Sequence, residues 1–399
     1  MNGNGGFSKR RLDRMREVMT GHVEAGRVPG AVTLLARHGE VLVDAIGSPA
    51  LGGAEPIHPG TIFRISSMSK PVTAVAALIL VEECRLRLDE PVDRLLPELA
   101  DRRVLRAPDA EVDDTVPAHR PITVRDLLDF RCGLGMIFEP EAFGYPIYRA
   151  AQELGVTGFG PPDPRTPHSP DEWARLVGTL PLVCQPGERW LYNTGSYLLS
   201  VLVARASGQP FEAFLRERIF EPLGMKDTGF SVPAAELDRL ATAYQVAEDG
   251  TLREYDSPRD SGWARPPAFP DGGGGLVSTA GDYLAFAGML LGKGTYRGER
   301  VLSRPAVELM TSDQLTGAQR REAFGDASSW GLGVSVALRR DRLSTTPGRY
   351  GWDGGLGTSW YNDPAEDLVA ILMTQRAEFP DVNPVWLDFW TGVYQAIDD

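Results

Sequence analysis

The chain runs to 399 residues with 42% hydrophobic and 24% charged side chains, close to the globular average, which excludes global disorder, collagen-like repeats and a low-complexity scaffold. At roughly 100–200 residues per domain this length fits two or three lobes around a large core. Lys and Arg number 41 against 54 Asp and Glu, a net charge of -13 and the wrong sign for a surface that tracks phosphates, so nucleic acid is not expected as a partner.

In chain order, Leu12, Met15, Val18 and Met19 fall at helical spacing and predict a helix over 10–25, stopped by Gly26 and Pro29. The segment before it lacks the apolar core of a signal peptide, and no later stretch is apolar over the roughly 18 residues a membrane helix needs. A cytoplasmic protein that does not enter the membrane is therefore expected. Cys84, Cys132 and Cys184 agree with that compartment: they lie far apart without C-x-x-C spacing, which implies neither a disulfide framework nor a metal site.

Two apolar runs joined by Arg-His-Gly-Glu read as a β-hairpin over 31–45. The Ala-rich, almost wholly apolar stretch 71–83 is long enough for a buried helix rather than a strand. From 88 to 270 helical patterns alternate with proline-punctuated loops, and the loop 160–170 is a candidate wall or lid of a cleft. Strand signals return at 330–338, 357–362 and 367–374, and 384–397 reads as a closing helix. Strands at both ends with helices between them predict an α+β molecule, with one sheet built from 1–70 and 270–399 and a mostly helical lobe inserted over 71–269.

Ser67 and Lys70 stand three apart at the mouth of the apolar helix, so both side chains project from one face a single turn apart. The helix start favours negative charge near Ser67, and burial lowers a lysine pKa towards a value useful for taking a proton. Serine is inert without such a base. The same spacing also suits a plain helix N-cap with a snorkelling lysine. His22, His38, His58, His119 and His168 sit in no recognisable catalytic setting, and neither G-x-S-x-G nor H-E-x-x-H occurs.

Tyr192 and Asn193 precede a helix-like run; a tyrosine beside a lysine can exchange a proton, although one next to Trp190 also suits simple packing. Gly351, Gly354, Gly355 and Gly357 leave a strand open to close approach, where a backbone N–H could join that of Ser67 in an oxyanion hole. The run 271–282, DGGGGLVSTAGD, lacks the Gly-Lys-Ser/Thr ending of a phosphate loop and reads as a flexible connector, with Ser278 or Thr279 capping the next helix.

Together and in this order these segments resemble the serine β-lactamase and penicillin-recognising superfamily, in its class C-like branch with family VIII carboxylesterases. The resemblance spans nearly the whole chain and includes ITVRDLLDFRCGLG, PGERWLYNTGSYLL, GGGLVSTAGDYLAFAGMLL and GWDGGLGTSWYNDP. It implies an antiparallel sheet flanked by helices, a helical lobe and a cleft between them. It implies Ser67 as the acylated nucleophile, Lys70 as its base and Tyr192 as a second acid/base. Ser67 and Gly355 would supply oxyanion-hole N–H groups, with Trp352, Asp353 and Gly354 standing where the family has Lys-Thr-Gly or His-x-Gly.

Three positions depart from the family pattern. Thr194 replaces the asparagine expected two after the tyrosine, leaving Asn193 as the nearest amide; Trp352 replaces a cationic or imidazole residue; Cys132 replaces a serine. A tryptophan offers one N–H donor and no charge for a substrate carboxylate, although Arg349 lies close enough in sequence to restore one. A serine carboxylesterase acting on neutral small-molecule esters, without metal or cofactor, is the expectation. Its alternatives are a β-lactamase, D-aminopeptidase or other amide hydrolase, an acyltransferase to an alcohol acceptor, and a catalytically silent binding protein.

Overall fold

The structure is a computed structural model that describes residues 4–156, 162–377 and 384–399. Seven strands form one antiparallel sheet: β1 (Gly30–Arg37), β2 (Glu40–Gly47), β3 (Ser328–Trp330), β4 (Ser335–Ala337), β5 (Tyr350–Gly354), β6 (Thr358–Asp363) and β7 (Leu368–Met373), in the order β3-β4-β5-β6-β7-β1-β2. The N-terminal hairpin is thus an extension of the C-terminal meander, joined where β1 pairs with β7 from Val32↔Met373 to Arg37↔Leu368.

The sequence of β7, LVAILM, is apolar throughout because both faces of the sheet are covered. Successive side chains point to opposite faces. Leu368, Ala370 and Leu372 meet Met15 and Met19 of α1 (Lys9–Glu24) and Phe389 and Val393 of α6 (Pro384–Gln395). Val369, Ile371 and Met373 enter the larger core under α2 (Ser69–Glu82) and α5 (Ala280–Leu291).

One strand expectation changes. The run 330–338 is not a single strand but a hairpin: Trp330 ends β3, Ser335 begins β4, and the two residues pair across the turn. Gly333 there has φ +80, and a Cβ on it would stand 2.5 Å from that of Ala74 in α2, so the chain must fold back at that point.

In the middle of the chain helices outnumber strands, with long loops between them, and the segment also holds short ladders, Arg103–Leu105 with Thr115–Pro117 and Ala243–Val246 with Leu252–Asp256. Two helices from this part frame the site: α3 (Val124–Leu128), closed by a Thr123–Asp126 capping box, and α4 (Thr194–Ser207), which packs on α2. Of the loop 160–170, residues 160 and 161 lie outside the described residues. No helix among the described residues is long and apolar enough to cross a membrane.

Candidate active site

The helix that carries Lys70 starts two residues later than Ser67. Ser66 has φ +46, residues Ser66–Met68 form one tight 3-10 turn, and α2 follows from Ser69. A non-glycine residue in that backbone region is uncommon and points to a site whose surroundings enforce it. The Tyr283 hydroxyl donates to the Met68 carbonyl at 2.9 Å and fixes the turn from below. Both residues of the S-x-x-K pair then face the same way, with Lys70 Nζ donating to Ser67 Oγ at 2.8 Å and to the Gly273 carbonyl at 2.6 Å.

Lys70 is buried, and loss of hydration lowers its pKa to about 7, with the negative charge of Asp271 opposing the shift. Its Nζ also lies 4.5 Å from the ring centroid of Tyr192. Burial likewise raises the Tyr192 pKa above the ordinary tyrosine range, and hydrogen bonds with Ser67 and Trp352 only partly offset this. At neutral pH the phenol therefore keeps its proton while the amine can lose one.

Tyr192 is aimed by the backbone on both sides. It exchanges two backbone hydrogen bonds with Met136, and the next residue, Asn193, has φ 88 and ψ -58, with the Thr194 N–H donating to the Tyr192 carbonyl at 3.3 Å. These are the marks of the rare, strained γ-turn. The strain is compatible with a position where the phenol must be delivered at the start of α4 rather than carried on it.

From the sheet side, Trp352 Nε1 donates to the Tyr192 hydroxyl at 2.8 Å. Gly354 lets β5 approach so closely because a Cβ there would stand 2.4 Å from the Ile65 carbonyl, just before the Ser66 turn. Gly355, one residue past the strand, has open space where a Cβ would be. Among the described residues neither the Ser67 nor the Gly355 N–H donates to a protein acceptor. The donors thus run from Trp352 Nε1 to the Tyr192 hydroxyl and from Lys70 Nζ to both Ser67 Oγ and the Gly273 carbonyl.

Not every predicted residue joins this group. Asp353 points to the opposite face of the sheet, as the alternation after Trp352 requires. There its carboxylate accepts from Ser359 Oγ, Tyr361 Oη and Trp386 Nε1 at 2.5 to 2.9 Å. Arg349 is on that face too, with its guanidinium carbon 3.7 Å from the Tyr361 ring centroid and 4.2 Å from that of Trp390, so it does not restore a positive charge to the cleft. Asn193 turns its amide to the Tyr197 hydroxyl at 2.6 Å, and Thr194 serves as the first residue of α4.

The glycine run after Asp271 overturns the reading of a flexible connector. Gly272 to Gly275 are buried, and a Cβ on Gly272 would fall 2.5 Å from Thr73 Oγ1 and one on Gly273 2.6 Å from the Tyr197 ring. Close packing explains the glycines, and it lets a main-chain carbonyl hold Lys70. Thr279 does cap α5, its hydroxyl accepting from the Asp282 N–H. Sequence reasoning missed the Gly273 carbonyl; four consecutive glycines were the signal. Trp330 was missed as well, and it meets Trp352 edge-on with centroids 4.7 Å apart. The described residues contain no group of three or more His, Cys, Asp or Glu placed to hold a metal ion.

Comparison with known proteins matches the description Beta-lactamase over residues 15–389. Protein Rv1367c of Mycobacterium tuberculosis is 39% identical over 372 residues, covering 90% of this chain and 88% of that protein. Esterase EstB of Burkholderia gladioli is 30% identical over 393 residues, covering 92% and 91%. Among solved structures, EstCE1, a hydrolase with promiscuous acyltransferase activity, superposes with a TM-score of 0.79 at 26% identity, over 96% of this chain and 99% of that one. With the antiparallel sheet, the Ser67–Lys70 turn and Tyr192 in place, and a match running over almost its entire length, this chain belongs to the beta-lactamase family.

Proposed function

We propose that the chain is a serine hydrolase that cleaves carboxylic esters through an acyl-enzyme on Ser67. The observation that carries this reading is the 2.8 Å contact between Ser67 Oγ and a buried Lys70 whose pKa is lowered to about 7. Neutral Lys70 takes the Ser67 proton as Oγ attacks the ester carbonyl. The N–H groups of Ser67 and Gly355 receive the oxyanion. Tyr192, still protonated, delivers its proton to the leaving alkoxide and regains one from the Lys70 ammonium. Water then attacks the acyl-enzyme, giving up a proton to the same pair, and the acid leaves as Ser67 is reprotonated. The site would lie between a sheet lobe, 1–70 with 270–399, and a helical lobe, 71–269. The free state of Cys84, Cys132 and Cys184 suits a reducing, intracellular compartment.

Preference for neutral esters follows from the aromatic character of the wall. Trp352 and the half-exposed Phe138 flank Tyr192, with centroids 5.7 and 5.3 Å from its ring, and the nearby Arg349 is turned away. The names of EstB and EstCE1 support the same chemistry. A short p-nitrophenyl ester is expected to exceed a chromogenic cephalosporin by about 100-fold in kcat/KM, because a cephalosporin carboxylate would meet Trp352 where a cation is expected, with Arg349 on the opposite face. Faster turnover of the cephalosporin would reverse the assignment. Acyl transfer to an alcohol is a second reading, favoured by the similarity to EstCE1; ester product that grows at the expense of acid when alcohol is added would reveal it.

Trp352→Phe keeps the wall but removes the N–H that fixes the phenol. It should lower kcat about tenfold with little change in KM, the scale of one lost hydrogen bond. A rise in KM at constant kcat would instead make Trp352 a substrate contact only.

A further inference from the structure

The glycine run carries a carboxylate to which the reaction described above gives no role. Asp271 Oδ1 accepts the Gly273 N–H at 2.6 Å, and the Gly274 N–H, which donates to the Asp271 main-chain carbonyl at 3.4 Å, lies close enough to the carboxylate to help stabilise its charge. The Gly274 N–H and the Gly273 carbonyl belong to one peptide unit, and that carbonyl accepts from Lys70 at 2.6 Å. A negative charge at the N–H end of an amide pushes electron density onto its oxygen, and hydrogen bonds linked this way strengthen one another. The oxygen consequently holds an ammonium more tightly than an amine.

The surroundings leave this carboxylate and this lysine to act on each other. Ser67 and Tyr192 face Lys70 with uncharged groups, and Asp271 is the one acid whose charge reaches it among the described residues. Around Asp271, α4 contributes the Tyr197 phenol, while Thr73 of α2 and Ser200 of α4 bind the neighbouring Gly272 backbone. Lys70 is the one charged side chain that acts on it there.

We propose that Asp271 is a positioning residue for the ester hydrolysis: through the Gly273–Gly274 peptide it holds Lys70 against Ser67 and sets how readily that amine gives up its proton. The inference rests on the reading of Lys70 as the base. Burial raises the Asp271 pKa to about 6, with the Gly273 N–H and Lys70 pulling it back, so the carboxylate is mostly charged at the midpoint of the Lys70 titration near pH 7 and loses its charge below it.

Asp271→Asn tests this, since the amide oxygen can still accept from the Gly273 N–H while the charge is gone. The ascending limb of kcat/KM against pH should move to lower pH by up to about half a unit, so activity at pH 6.5, where the wild-type carboxylate is still mostly charged, rises about 1.5-fold relative to pH 8.5. The pH dependence of fluorophosphonate labelling of Ser67 should move in the same direction. Asp271→Ser, another short uncharged acceptor, is the second variant if Asp271→Asn folds poorly, and the same displacement is expected. A limb that stays in place while activity falls equally at every pH overturns the proposal, because a carboxylate that only shapes the loop has that effect. Lys70→Ala measured in parallel separates the two levels. If it retains the limb, the base assignment itself fails; if it loses the limb while the Asp271 variants leave it in place, only the role of Asp271 falls.

Discussion

Ser67→Ala is expected to lower ester turnover by about 10⁴-fold or more, the scale of losing the nucleophile from a unit whose members act together. The wild-type protein should gain the mass of one acyl group when mixed with a slowly hydrolysed ester, and the variant should gain none. The geometry leaves no substitute: the neighbouring Ser69 hydroxyl is buried and accepts the Leu276 N–H at 3.2 Å, and Ser66, although its Oγ is unpartnered, is buried as well. Full activity in Ser67→Ala, or an adduct mapped to another serine, would remove the basis of the proposed chemistry. Absence of both ester turnover and an adduct in the wild-type protein would instead favour the silent-protein alternative.

Lys70→Ala should cost about 10³-fold or more, and the pH profile should identify what was lost. The sign follows from the direction of the shift. Burial lowers the Lys70 pKa to about 7, so below that pH the residue is an ammonium that cannot accept the Ser67 proton, and above it the neutral amine can. The wild-type kcat/KM should therefore rise through about pH 7 and then hold level, since the Tyr192 pKa is raised and the phenol keeps its proton beyond the usual tyrosine range. In Lys70→Ala the residual activity should lose this limb. A limb near pH 7 that survives the substitution belongs to another group. Lys70→Arg offers no rescue, because a guanidinium stays charged over this whole range.

Much of the architecture was readable because its causes are local. The alternation and apolar runs of β1, β2, β6 and β7 follow from a period of two against covered faces, and the nearly all-apolar stretch of α2 after Lys70 follows from burial on every side up to Leu80. The exception, the hairpin at 331–334, depends on an approach to Ala74 that lies more than 250 residues away in sequence. No local pattern reports such a contact.

The site divides the same way. Ser67 and Lys70 were recognisable because a single helical turn joins them, and Tyr192 because its motif accompanies theirs in one family. Asp353 and Arg349 were misplaced for one reason: sequence places a residue on a strand but does not say which face is the cleft. That face was decided only when β5 met the Ser66 turn and α6 covered its other side. The Gly273 carbonyl, the γ-turn at Asn193 and the Trp352–Tyr192 bond were likewise beyond any one-dimensional reading. The chain alone determined which chemical groups were available and how adjacent ones face. The tertiary structure decided which distant groups share a dry, close-packed volume, because proton affinity and hydrogen-bond partners depend on burial and distance in space rather than along the backbone.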